Sequence, residues 1–142
     1  MITKFYNELK ALRNRFNEAA TEEEKEQVKK EFEALDERIK EAGEAFAWVL
    51  RLYETSQERE NSLFDLGEEC IWEKDIPKLL KGLDDAEIKE FTFSSTWSGS
   101  NQTAWEFIKG GWSIKGMTLI NTHKKWREEG YQQKPAYIFS KN

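Results

Sequence analysis

The chain has 142 residues, of which 35% are charged and 38% hydrophobic, and it carries a net charge of −5. One cysteine, Cys70, and one histidine, His123, exclude an intramolecular disulfide and a multi-cysteine zinc site, and neither a metal nor a cofactor is expected. Nothing in the chain reaches the roughly 20 consecutive apolar residues of a membrane span, and the N-terminus alternates charge with hydrophobe, so a cytoplasmic protein is expected.

Nine Phe, six Trp and four Tyr concentrate apolar area in few side chains, enough for a compact domain or a small domain with an appendage. The charge is graded along the chain. Residues 1–60 hold 11 Lys/Arg and 15 Asp/Glu (−4), residues 61–90 hold 4 and 9 (−5), and residues 91–142 hold 7 and 3 (+4). Such a split bears on partners and encounter rates.

From Ile2 the apolar positions Ile2, Phe5, Leu9, Leu12, Phe16 and Ala19 alternate in steps of three and four, one face of a helix. Thr21 and Glu24 form a capping box that restarts the chain as a second helix, with Glu22, Glu23 and Glu24 at the positive end of its dipole. Its stripe, Val28, Phe32, Leu35, Ile39, Ala42, Phe46, Val49 and Tyr53, predicts one helix over residues 22–56, packed antiparallel to the first as a long hairpin. In "AGEAFAWVLRLY" the apolar residues spread to several faces, so this end of the rod has to be buried by the rest of the chain.

Residues 55–69 read as a polar hinge, and Cys70 beyond them as a small core residue. "IWEKDIPKLLKGLDDAEI" predicts a short helix with Asp75 as N-cap, Pro77 in the first turn and Gly82 loosening its end. "IKEFTFS" is a strand, and residues 101–109 a helix stopped by Gly110 and Gly111. "WSIKGMTLIN" is a second strand with a bulge at Gly116, residues 122–134 a polar loop, and "PAYIFS" a closing strand. The first two strands are expected to be parallel across a tight crossover and the last two antiparallel. The expected fold class is α+β: a long N-terminal antiparallel helical hairpin (1–57) docked on a small βαββ sheet layer (58–142).

"IWEKDIP", "IKEFTFSSTWS", "GWSIKGMTLIN" and "KPAYIFS", in that order, resemble a group of small accessory proteins carried by conjugative elements and prophages of Gram-positive gut bacteria. The resemblance covers about 70 residues from Ile71 onward. It implies a mobile-element accessory protein and transfers no catalytic residue.

Three clusters are candidate sites. In "SSTWSGS", Ser95, Thr96, Trp97 and Ser98 lie between a strand and a helix, where free amides hold an anion or nucleic acid. The bland alternative is that Ser98 or Ser100 caps the helix while Trp97 packs. P-loop and nucleophile-elbow glycines are missing, and no base accompanies a serine, so no catalytic residue is expected. In "HKKWRE", Lys124, Lys125, Trp126 and Arg127 can pair phosphates and stack a base, or form a solvated loop. On the second helix Glu31, Asp36, Glu37, Glu41 and Glu44 are either a solvated face or an acidic surface that imitates nucleic-acid phosphates toward a partner.

The expectation is a non-enzymatic protein, monomer or homodimer, that occupies a surface of a host macromolecule. By genomic setting this is an anti-CRISPR type of inhibitor whose protein partner is a CRISPR effector nuclease. The alternative is a nucleic-acid-binding accessory protein for plasmid or phage maintenance that uses the basic half.

Overall fold

The computed structural model describes residues 1–66 and 71–142, so the reading of Cys70 lies outside the described residues. The fold is α+β, with N-terminal helices followed by a three-stranded antiparallel sheet. In chain order the elements are α1 (Ile2–Glu18), α2 (Glu22–Ala42), α3 (Glu44–Glu58), a 3₁₀ turn (Glu73–Asp75), α4 (Ile76–Asp85), β1 (Glu90–Phe93), α5 (Ser100–Lys109), β2 (Trp112–Lys124) and β3 (Tyr131–Lys141).

At the α1–α2 turn Thr21 caps α2 as expected, and Glu24 reaches back one residue beyond the N-cap, to Ala20. Thr21 Oγ1 accepts from the Glu24 amide at 3.2 Å, and Glu24 Oε2 accepts from the Ala20 amide at 2.9 Å. Two ion pairs fix the antiparallel register, Glu8–Arg38 at 2.8 Å and Glu31–Arg15 at 2.6 Å, each with residue numbers that sum to 46. The Glu31 carboxylate, through its hydrogen bond and then its charge, raises the Arg15 pKa.

The single helix expected over 22–56 is broken at Gly43, where φ +103° and ψ 161° are open only to glycine. The stripe stayed in step across the break because Gly43 occupies one place in the three-four spacing. Beyond it α3 lies against α1, with Phe46 edge-on to Phe5 (5.2 Å), Tyr53 edge-on to Tyr6 (5.5 Å) and Glu54 paired to Arg13 (3.4 Å). The buried face of α3 is wide: Ala45, Phe46, Val49, Leu50 and Leu52 are all covered. Its other neighbour is α4. Gly82 is a packing glycine and not a loose end, since a Cβ there would sit 2.5 Å from the Ala45 carbonyl oxygen and 2.6 Å from Val49 Cγ2. Asp75 stands at the start of α4 but makes no side-chain cap.

The expected hinge is in part packed structure. α3 continues to Glu58, and Asn61, Phe64, Asp65 and Leu66 are buried. Phe64 and Leu66 exchange backbone hydrogen bonds with Thr92 (2.7 and 2.9 Å), while Thr92 Oγ1 donates to Asp65 Oδ1 at 2.7 Å. One hydrophobic cluster runs from Ile2 through α3 and α4 to Phe139.

The sheet order is β1-β3-β2. β1 and β2 point the same way, as expected, but β3 lies between them, which relieves the tight 95–111 crossover of having to join neighbours. The bulge falls between Ile114 and Gly116. The 122–134 loop shrinks to residues 125–130, because pairing with β3 extends β2 to Lys124. Phe91, Phe107, Phe139 and Trp112 join α5 to the sheet through ring contacts of 4.7–5.3 Å.

Gly82→Ala gains about 1 kcal/mol of helix propensity and loses about 1–3 kcal/mol to overpacking, so its melting temperature is expected to fall by a few degrees. Gly43→Ala, strained by its φ, is expected to cost about 1–3 kcal/mol. Gly116→Ala, whose Cβ would meet nothing within 4 Å, is the control and stays within about 0.5 kcal/mol in the same thermal or urea unfolding series.

Candidate functional site: an overhanging hairpin arm

β1 ends at Phe93, opposite Tyr137, whereas β3 starts six residues earlier at Tyr131. The β2–β3 pair therefore projects about 20 Å beyond the end of β1, at about 3.4 Å per residue. Polar contacts tether this arm at its side. Asn61 Nδ2 donates to the Asn121 carbonyl (3.0 Å), the Asn121 amide donates to Asn61 Oδ1 (2.8 Å), and Tyr131 donates to the Glu58 carbonyl (3.0 Å).

The side chains of the arm divide by the two-residue period. Tyr137 and Pro135 share the face of Phe139, which is the α5 side, and their cross-strand partners are Met117 and Leu119. α5 has only 10 residues, about 15 Å, and cannot cover a face of this length. Met117 (59%), Leu119 (60%) and Tyr137 (43%) are left exposed. The strand pattern of "GMTLIN" was legible, but which of its faces lacks a cover depends on the length of a different element.

The Ser/Thr/Trp junction opens beside this face. A cleft of about 400 Å³ is lined by Phe93, Ser95, Thr96 and Ser100 from the junction and by Met117, Lys134 and Tyr137 from the arm. Gly99 takes the N-cap position of α5 without any side-chain cap, so neither Ser98 nor Ser100 plays that part. The Trp97 ring folds over Gly99, where a Cβ would lie 2.1 Å from it. Trp97 also contacts Trp72 at 5.6 Å, and its buried Nε1 has no hydrogen-bond partner among the described residues. Ser95 is half-buried, Thr96 and Ser98 are exposed, and Ser94 donates to Asp65 Oδ2 at 3.4 Å. A larger cleft, about 480 Å³, lies at the α1–α2 turn between Arg15, Glu18, Glu23 and Glu24, away from both the junction and the arm.

The basic cluster is the tip of the arm. Lys124 ends β2, and Lys125, Trp126 and Arg127 turn the chain, with the Lys125 amide donating to the Gly130 carbonyl at 3.1 Å. Arg127 sits 4.4 Å above the Trp126 ring, which is 81% exposed. The junction and the tip, 24 residues or more apart in sequence, thus lie on one end of the sheet, and Lys134, which sequence reasoning passed over, stands between them.

The five acidic positions are not brought together in this way. Glu31 turns toward α1 and Arg15, Glu37 pairs with Lys40 at 3.5 Å, and Glu44, beyond the break, pairs with Lys78 at 3.0 Å. Asp36 and Glu41 are exposed on α2. On α5, a hydrogen bond from Lys109 holds Glu106 below the usual carboxylate range.

No curated protein and no solved structure matches the chain. A family model does, over residues 48–141, which run from within α3 to the last residue of β3 and include the whole arm and junction. The chain belongs to the family described as a domain of unknown function, DUF7698.

Proposed function

We propose that this is a non-enzymatic binding protein that holds a partner protein on the β2–β3 arm. In keeping with its resemblance to mobile-element accessory proteins, the partner is a host macromolecule, and a CRISPR effector nuclease is the first one to try. The observation that carries the reading is the exposed row Met117, Leu119 and Tyr137, continued at the tip by Trp126 under Arg127. Met, aromatic and Arg side chains are the types enriched in protein interfaces and their hot spots. The arm is preferred to the acidic helix face because the five carboxylates point in several directions and three of them are engaged in ion pairs.

A second reading rests on the tip alone. Trp126 with Lys124, Lys125 and Arg127 offers a stacking platform beside cations for single-stranded nucleic acid.

The two readings separate on variants of the full chain. For a protein partner, Met117→Asp and Tyr137→Asp are expected to abolish co-purification of the partner and any inhibition of a co-expressed effector, with the melting temperature unchanged. Equal recovery with wild type and both variants would overturn it. For nucleic acid, labelled single strands are expected to bind with a salt slope that the triple change Lys124→Ala, Lys125→Ala, Arg127→Ala reduces by about 2, at about 0.7 per phosphate contact. Trp126→Ala is then expected to cost about 1–3 kcal/mol per stacked base, and no binding at micromolar protein in low salt would dismiss that reading.

A further inference from the structure

Three of the open stretches of this sheet's edges are closed or blunted. The outer side of β1 pairs with Phe64 and Leu66 through Thr92. Past the end of β1, the exposed side of β3 carries Pro135, which has no N–H to offer. On the outer side of β2, the amide and carbonyl of Asn121 are both taken by the Asn61 side chain. These are the devices by which proteins prevent strand addition.

Between the bulge at Ile114–Gly116 and Asn121, one stretch lacks any such device among the described residues. Because Asn121 directs its backbone groups outward, the antiparallel alternation directs those of Leu119 and Met117 outward as well. Pro135 opposite Leu119 agrees, since its nitrogen has to face away from β2. The outward amides and carbonyls of Met117 and Leu119 have no hydrogen-bond partner among the described residues, and their side chains are apolar and exposed.

We propose that this edge of β2 accepts an added strand from a partner protein, an extended segment with apolar residues at alternate positions and carboxylates at the end that lies toward Lys124 and Lys125. The proposal rests on the protein-binding reading above and names how the partner is held. Charge selects the occupant. Among the described residues no carboxylate lies within ion-pair distance of Lys124, Lys125 or Lys134, and the 91–142 segment has a net charge of +4. A second copy fits worse. Two-fold pairing about Thr118 sets Lys124 and Lys125 opposite Trp112 and Gly111 of the other copy, beside Lys141, which already lies 5.2 Å over the Trp112 ring. Like charges would meet at both ends. An acidic extended segment meets opposite charge instead, while its main chain completes the four hydrogen bonds of Met117 and Leu119.

The test is amide hydrogen exchange on the full ¹⁵N-labelled chain, with a ten-residue peptide of alternating valine and glutamate as probe and its valine–lysine counterpart as control. Exchange at Met117 and Leu119 is expected to slow at least tenfold with the glutamate peptide and to stay unchanged with the lysine peptide. No slowing at millimolar glutamate peptide, or equal slowing with lysine, overturns the proposal. Slowing that depends on protein concentration without peptide overturns it in favour of a second copy. Leu119→Pro removes the outward N–H together with the leucine side chain, and Leu119→Ala, which removes the side chain and keeps the N–H, separates the two. If Leu119→Pro, folded by its native spectrum, retains a partner that Met117→Asp loses, strand addition fails and the arm-face reading stands. If both variants retain the partner, both readings fail.

Discussion

At Gly43 the backbone adopts a conformation that no residue with a Cβ holds without strain, and the course of the remaining chain depends on it. A helix continued through this point would carry Phe46 and Val49 past the end of α1. The turn sends α3 back along α1, so that Phe46 meets Phe5 while the other side of α3 receives α4 at Gly82. The close approach at Gly82 is needed because both helices have to share Val49, which is fully buried. α3 thus joins the hairpin to the sheet layer, and the core passes from Ile2 to Phe139 without interruption.

The end of α3 then determines where the arm can stand. Glu58, the last residue of α3, and Arg59 and Asn61 just beyond it hold Tyr131 and Asn121 by hydrogen bonds, two of which imitate a neighbouring strand. A projecting two-stranded ribbon is marginal in water by itself. Here Ile120, Thr122 and Ala136 are buried and Asn61 closes part of one edge, so the arm is supported on one side and open on the other. Its exposed row follows from arithmetic: a helix rising about 1.5 Å per residue cannot cover a ribbon rising about 3.4 Å per residue with fewer residues.

Element types were largely legible because each has a local cause. The capping box at Thr21 and Glu24, the bulge before Gly116 and the width of the apolar face at Ala45–Leu52 were all written in neighbouring residues. The break at Gly43 was masked by periodicity, although a glycine between Ala42 and Glu44, followed by an apolar surge on several faces, carried the signal. Of the site, the junction and the basic cluster were visible as compositions. Their convergence through Lys134, and the exposure of Met117 and Leu119, were not, since both depend on strand order and on the shortness of α5.

The charge gradient acquires a geometry from this arrangement. On the α1–α2 hairpin many of the carboxylates are answered by cations across the helices or one turn along, as in Glu8–Arg38, Glu31–Arg15 and Glu37–Lys40, so much of that face is balanced at short range. At the arm the cations Lys124, Lys125 and Lys134 have no such partners among the described residues and stand beside apolar side chains and backbone groups likewise unpaired among those residues. An exposed apolar edge is ordinarily a hazard that a protein blunts with charge or proline. Both devices occur here, but Pro135 is on β3, and Lys124 and Lys125 stand at the tip end of the open stretch instead of interrupting it. In the proposed mode, charge in that position would repel another basic edge and still admit an acidic strand.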